Sequence, residues 1–455
     1  MTGGVAAGGA ATPAGPGLRR ELGLLDSLMI NIGTILGSAI FIVPAAILLQ
    51  TGTPFMSAMV WALAGFLSWA GAATIAELAV LYPEAGGQYV YLEKVYSRFW
   101  GFLYGWTLFA VIQTASIAAV AVAFVTYVGF FIPMSPVMVK VGAIALIMGL
   151  SIWNCLSVRT SANTQNSTTI LKLLMVGLIA AACFAYGGEG SAAFKQLLPA
   201  DGSTLTLAGF AAAMVAALWA YDGWISITFV GGEVKSPAGS MPKALSRSVS
   251  ILVIVYILVN FAYVHALPYA DMVASERVAA DAVERVLGHA GGGLASLAVA
   301  ISCFGTVNGF IFTGARVYYA MAKDGVFFPW AARLGEKTKV PANSLIIQGV
   351  WASLLTLTGS YDQLFTYVIF DSWLFYAMGA LGVIILRRRQ PDLPRPCKAP
   401  GYPWVPLIFV ILAGALLLQT LISDTRDALF GVGIMLAGLP AYAYWTRAGR
   451  AKSAA

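Results

Sequence analysis

Twelve apolar stretches, most of them near the length that crosses a bilayer, recur along this chain. They lie at roughly residues 22–49, 55–81, 100–132, 137–156, 162–186, 207–231, 244–267, 293–321, 343–359, 363–386, 403–422 and 428–444. About twenty apolar residues span the hydrocarbon core as a helix, and inside lipid the backbone is satisfied only by helices or closed barrels. Segments this long select helices. The expected fold is an all-α polytopic membrane protein with about twelve transmembrane helices. Composition agrees: 59% of the 455 residues are hydrophobic and 10% are charged, against about a quarter charged in soluble domains.

Charge placement sets the orientation. With the N-terminus inside, most of the 27 lysines and arginines fall on the inner side. Lys140, Lys195, Arg277, Arg285 and Arg426 fall outside, and Lys172 lies within a span. The positive-inside rule then puts both termini in the cytoplasm, as expected of a protein of the cell's inner (plasma) membrane. The net charge of +7 therefore reads as topology and not as a nucleic-acid surface. Cys155, Cys183, Cys303 and Cys397 have no metal-site spacing and suggest no outer disulfide, so no metal and no cofactor is expected. Residues 1–20 read as a disordered cytoplasmic tail without a signal peptide, and 447–455 as a second inner tail. Residues 82–99 suggest a short inner helix. Residues 271–289 alternate acidic, basic and apolar side chains and read as an outer amphipathic helix over the mouth, or as a solvated loop.

Two spans are interrupted. In the first, Asn31-Ile32-Gly33-Thr34-Ile35-Leu36-Gly37-Ser38-Ala39-Ile40-Phe41 puts two glycines and two hydroxyls at mid-membrane. An unwound turn there frees backbone groups and points the N-terminus of the second half-helix at the gap, where a carboxylate can bind. The competing reading is a glycine face packed on a neighbouring helix. The sixth span carries Leu218-Trp219-Ala220-Tyr221-Asp222-Gly223-Trp224. Spans one and six correspond if the first ten form two five-helix halves, and paired interruptions of this kind point to a transport site.

Ionisable groups at membrane depth are costly and usually functional. Asp26 and Glu77 sit near inner ends, where an anchoring salt bridge is expected. Asp222 lies in the sixth-span break and reads more readily as a helix cap than as a substrate contact. Lys172 starts too deep to snorkel and needs carbonyl or hydroxyl acceptors, so it can stand in for a bound metal ion or titrate. Asp371, in the tenth span, can face a cationic substrate, pair with a lysine or take part in proton transfer.

These residues resemble the amino acid–polyamine–organocation transporters, and within them the L-amino-acid transporter branch, from about Leu18 to Tyr444. The resemblance rests on the first break together with Ala76-Glu77-Leu78, Pro83-Glu84-Ala85-Gly86-Gly87-Gln88-Tyr89-Val90-Tyr91, Ala220-Tyr221-Asp222-Gly223-Trp224, Gly232-Glu233-Val234-Lys235-Ser236-Pro237, Gly314-Ala315-Arg316-Val317-Tyr318-Tyr319 and Pro400-Gly401-Tyr402-Pro403. It implies a ten-helix inverted-repeat core at 21–390 with two appended helices at 391–446. By the same resemblance the substrate carboxylate meets the N–H groups of Gly37, Ser38 and Ala39, next to Ile40. The amino group meets carbonyls near Ile35 and from Trp219 through Ala220 and Tyr221 to Asp222, beside Gly223. Lys172 matches a lysine that takes the place of sodium in related transporters, and Tyr256 and Ser302 match polar positions near it. Ala39 stands where the family usually has glycine, so a left-handed backbone there would be disfavoured. Trp219 replaces a common phenylalanine and is expected to act as an outer gate. Asp371 is not a family feature. No cysteine lies in 132–136, so a disulfide-linked heavy chain is not expected.

The resulting expectation is a sodium-independent exchanger of small or medium neutral amino acids working by alternating access, as a monomer or weak homo-oligomer. A cationic amino acid or polyamine carrier, proton-coupled, is the alternative within transport. A membrane enzyme is disfavoured because only His265 and His289 are present, with no partner at metal spacing. Nothing resembles a channel's filter ring.

Overall fold

The computed structural model describes residues 17–190, 206–358, 361–423 and 425–453. Among them regular structure is helical, apart from one isolated bridge between Leu22 and Val234. Nine helices are long and apolar enough to cross a membrane, and Leu24–Ile35, Leu207–Ala220 and Ala342–Thr358 are shorter apolar helices. Each of the twelve expected stretches therefore holds a helix. Of the expected N-terminal tail, residues 1–16 lie outside the described residues, as does Lys195. The remainder is tied down, with Arg20 donating to the Val234 carbonyl at 2.7 Å. The expected C-terminal tail is largely the end of a helix, Gly438–Ser453.

Local chemistry explains where helices start. Thr53, Ser135, Ser157 and Thr206 each accept a backbone N–H from the first turn of the helix they precede, satisfying a donor that the helix cannot. The first span ends at Gly52, whose φ of 72° suits glycine alone. The fifth span, Val158–Tyr186, shows how facing is set: Leu171, Leu174 and Leu178 are exposed, whereas Gln165, Thr169 and Lys172 are buried. An apolar outside with a polar inside is the pattern lipid demands.

Both non-spanning pieces are helical. Gln88–Val95 is the short helix expected within residues 82–99. The outer segment is two helices, Tyr269–Ala274 and Val278–Leu287, the second burying Val278, Ala279, Ala280, Ala282 and Val283. It packs on the fifth and eighth spans and on Ala39–Ile42.

The ion pairs expected at the inner ends are present. Asp26 meets Arg159 at 2.9 Å, and Glu77 meets Arg387 at 2.5 Å and Arg395 at 3.1 Å. Arg316, counted above as an inner-loop charge, lies instead within the helix His289–Lys323 and is fully buried against Glu233. An arginine is tolerated within this apolar stretch because the pair neutralises it.

Candidate functional site

The first span runs as Leu24–Ile35, unwinds over residues 36–38 and resumes at Ala39–Ile42 and Pro44–Thr51. Leu36 has φ −74° and ψ 80°, and Gly37 N–H donates to Ile35 O at 2.8 Å, which is an inverse γ-turn. Gly37, expected to offer its N–H to a carboxylate, therefore turns it inward here. The N–H groups of Ser38, Ala39 and Ile40 donate to no backbone carbonyl among the described residues, as the first turn of a half-helix requires. Ala39 is right-handed helix, and neither it nor Gly37 has positive φ. The methyl group at position 39 therefore strains nothing.

The two glycines differ in role. A Cβ on Gly33 would overlap Gln165 Nε2 and Thr169 Oγ1 of the fifth span, so this glycine is a packing residue. One on Gly37 would meet nothing closer than Thr306 Cγ2 at 3.6 Å, an ordinary contact, so position 37 has room for a methyl group.

The carbonyls freed at Gly33, Leu36 and Gly37 are collected by two spans, the fifth and the eighth. Lys172 Nζ donates to Gly33 O (2.8 Å), Leu36 O (2.8 Å) and Thr306 Oγ1 (3.0 Å). Ser302 Oγ reaches Leu36 O (2.9 Å) and Gly37 O (3.2 Å). Thr306 Oγ1 lies 3.0 Å from both Gly33 O and Leu36 O. Thr306 was missed in the sequence, although its place one helical turn after Ser302 puts both hydroxyls on one face.

The sixth span stops at Ala220 and resumes for one turn at Ser226–Phe229. Gly223 has φ 95°, and a Cβ there would stand 3.0 Å from Thr34 O, so the two breaks touch through a residue that must be glycine. Thr34 Oγ1 completes the contact at 3.2 Å from Gly223 O. Tyr256 bridges both breaks: its hydroxyl is 3.2 Å from Ile35 O and 2.9 Å from Ala220 O. Tyr221 stacks obliquely on Tyr256 at 4.9 Å, and Trp219 is half-buried on the last turn of the outer half-helix.

Two acids stand elsewhere than expected. Asp222 does not cap the following half-helix, which has no side-chain cap. Its Oδ1 accepts the Tyr376 hydroxyl at 2.8 Å, an interaction with the tenth span that nothing in the sequence signalled. The two line a cavity of about 10 Å³ with Gln113 and Ser116, room for about one water molecule. Leu108 and Ile112, the ends of a π-helical turn in the third span, also line it; such turns favour functional sites. Asp371 is buried and faces Gly431 of the twelfth helical stretch, where a Cβ would stand 3.0 Å from Oδ1. Neither of its oxygens has a hydrogen-bond partner among the described residues, Lys172 and both breaks included.

Comparison with known proteins matches this geometry to a family. A family model described as amino acid permease matches residues 22–439. The chain is 34% identical to the serine/threonine exchanger SteT of Bacillus subtilis (strain 168), over 94% of this chain and 97% of that protein. It is 31% identical to the b(0,+)-type amino acid transporter 1 of Mus musculus, covering 93% and 88% of the two chains. It is 32% identical to the large neutral amino acids transporter small subunit 2 of Homo sapiens, covering 95% and 82%.

Proposed function

The chain belongs to the amino acid permease family, and from that premise we propose that it exchanges small or medium neutral amino acids, independently of sodium, by alternating access. Residues 21–390 form the transport core and 391–446 the appended pair, with both termini in the cytoplasm of a cell bounded by this membrane. It works as a monomer or weak homo-oligomer, without a disulfide-linked partner.

The observation that carries this reading is the Lys172 ammonium, held by Gly33 O, Leu36 O and Thr306 Oγ1. A cluster of carbonyl and hydroxyl oxygens is what a hard cation takes, and in broken-helix transporters such carbonyls coordinate the driving ion. A fixed ammonium in that place removes the need for sodium. The substrate carboxylate is received by the N–H groups of Ser38, Ala39 and Ile40 and by the positive end of their half-helix. Its ammonium takes Ile35 O and Ala220 O, replacing the single proton with which Tyr256 now serves both. Substrate thus exchanges one bridge between the breaks for another, and Trp219 closes the outer side. A neutral side chain is favoured because Asp371 faces away from the breaks and Asp222 is engaged by Tyr376.

The test is uptake of a labelled amino acid panel by proteoliposomes, preloaded or empty, with and without sodium and a pH gradient. Stimulation by internal amino acid, and none by sodium, is expected. Uptake equal in empty vesicles would remove exchange, and preference for lysine or arginine would remove the neutral assignment. Lys172→Ala should lower uptake at least about tenfold, a loss of about 1.4 kcal/mol of transition-state stabilisation, while the protein elutes as a folded particle. Wild-type uptake in that variant would take Lys172 out of the mechanism.

A further inference from the structure

On the far side of the first break from the Leu22–Val234 bridge lies a chamber of about 480 Å³, within the size range of small-molecule sites. Ile42 lines it and lies three residues beyond Ala39, about 4.5 Å further along the same half-helix. Tyr127 and Phe130 of the third span form an aromatic wall, and Glu276 and Arg277 come from the outer turn between Tyr269–Ala274 and Val278–Leu287. Ser296 of the eighth span also lines the chamber, yet it is fully buried and its hydroxyl has no hydrogen-bond partner among the described residues. Leaving such a group unsatisfied is destabilising, and a bound polar ligand removes that cost.

The charges decide the ligand class. Glu276 and Arg277 are adjacent, opposite and exposed, set beside an apolar and aromatic surface. Arg277 lies 3.9 Å from Asp281 with its side chain half exposed, and pairs of that kind are weak in water, so its guanidinium can turn to a carboxylate. One acid, one base and an apolar wall complement a zwitterion carrying a side chain.

We propose that this chamber is a second amino acid site, occupied before the substrate reaches the first break. Arg277 takes the α-carboxylate, Glu276 takes the α-ammonium, and the side chain lies against Ile42 and Phe130 with a ligand polar atom on the Ser296 hydroxyl. The ligand class rests on the amino acid reading above.

Ser296→Cys, a nearly isosteric change, reports on the chamber in the reconstituted full chain. The rate at which an impermeant methanethiosulfonate modifies it is measured against the unsubstituted chain as background. The additions are an equimolar mixture of L-serine, L-leucine and L-arginine, or the amines lacking their carboxylates: ethanolamine, isoamylamine and agmatine. The amino acids should slow modification about tenfold at about ten times their dissociation constant, and the amines should not. Adding Arg277→Gln should abolish the protection. Unchanged rates, equal protection by the amines, protection that survives Arg277→Gln, or a thiol at position 296 that never reacts would each overturn the proposal. Protection in a chain that carries no amino acid would remove the exchanger reading and keep the chamber. Uptake without protection would do the reverse.

Discussion

Lys172 and Tyr256 hold the two breaks by different chemistry. The lysine is a permanent donor to carbonyls that no helix can satisfy, and losing it leaves Gly33 O and Leu36 O dependent on hydroxyls. The tyrosine offers one proton to two carbonyls, Ile35 O and Ala220 O, which makes it the exchangeable partner. Tyr256→Phe keeps the ring contacts with Trp61 at 5.6 Å and Tyr221 at 4.9 Å, so thermal stability should change little. A lost hydrogen bond of about 0.5–1.5 kcal/mol corresponds to about two- to twelvefold, and transport should fall by that factor in initial-rate uptake. A Tyr256→Phe protein that is unstable but transports normally per folded molecule would assign the hydroxyl to folding alone.

At the level of the element, the first span separates two uses of glycine only four residues apart. Gly33 lets its half-helix lie against Gln165 and Thr169, whereas a Cβ at Gly37 would only touch Thr306 at an ordinary contact distance. Gly33→Ala should therefore overpack the contact with the fifth span and cost about 1–3 kcal/mol, read as a lower unfolding temperature in detergent. Gly37→Ala should leave that temperature close to wild type and reduce uptake, because the methyl group intrudes where substrate approaches. Reversal of this order, with position 37 the less stable, would contradict the assignment.

In the whole molecule, the start of the first broken span is joined to the segment that follows the second. Glu21 N–H and Leu22 N–H donate to Glu233 O at 2.9 Å, and Lys235 N–H donates to Leu22 O at 2.9 Å. The Glu233 carboxylate meanwhile takes Arg316 through two contacts of 3.0 and 3.1 Å, with both side chains fully buried. This arrangement accounts for two of the motifs that carried the family resemblance. Removing one partner of a buried pair leaves the other charge uncompensated, at about 3–5 kcal/mol, whereas replacing both by apolar groups can be neutral. Glu233→Gln should thus lower the unfolding temperature sharply, and Glu233→Met with Arg316→Met should recover much of the loss. A single variant as stable as wild type would mean that the pair does not hold this junction. The appended helices are also not peripheral: Phe409 lies 6.5 Å from Trp224 and 5.5 Å from Trp373 by ring centroid, behind the second break.

Hydrophobic length and the place of charge are local properties, so the sequence alone determined the twelve helices, the interruptions at Gly37 and Gly223, the burial of Lys172 and the inner ion pairs of Asp26 and Glu77. Contacts between spans depend on rotation and depth that no single stretch encodes. Only the tertiary structure could therefore decide that Asp222 meets Tyr376, that Asp371 faces Gly431, that Thr306 joins the lysine, and that Arg316 is buried in a pair with Glu233. The first break shows the division most clearly. Its existence was written in two glycines, but the direction of each N–H, with Gly37 turned back to Ile35 and Ser38 to Ile40 left unpaired, follows from a backbone turn held by three neighbouring spans.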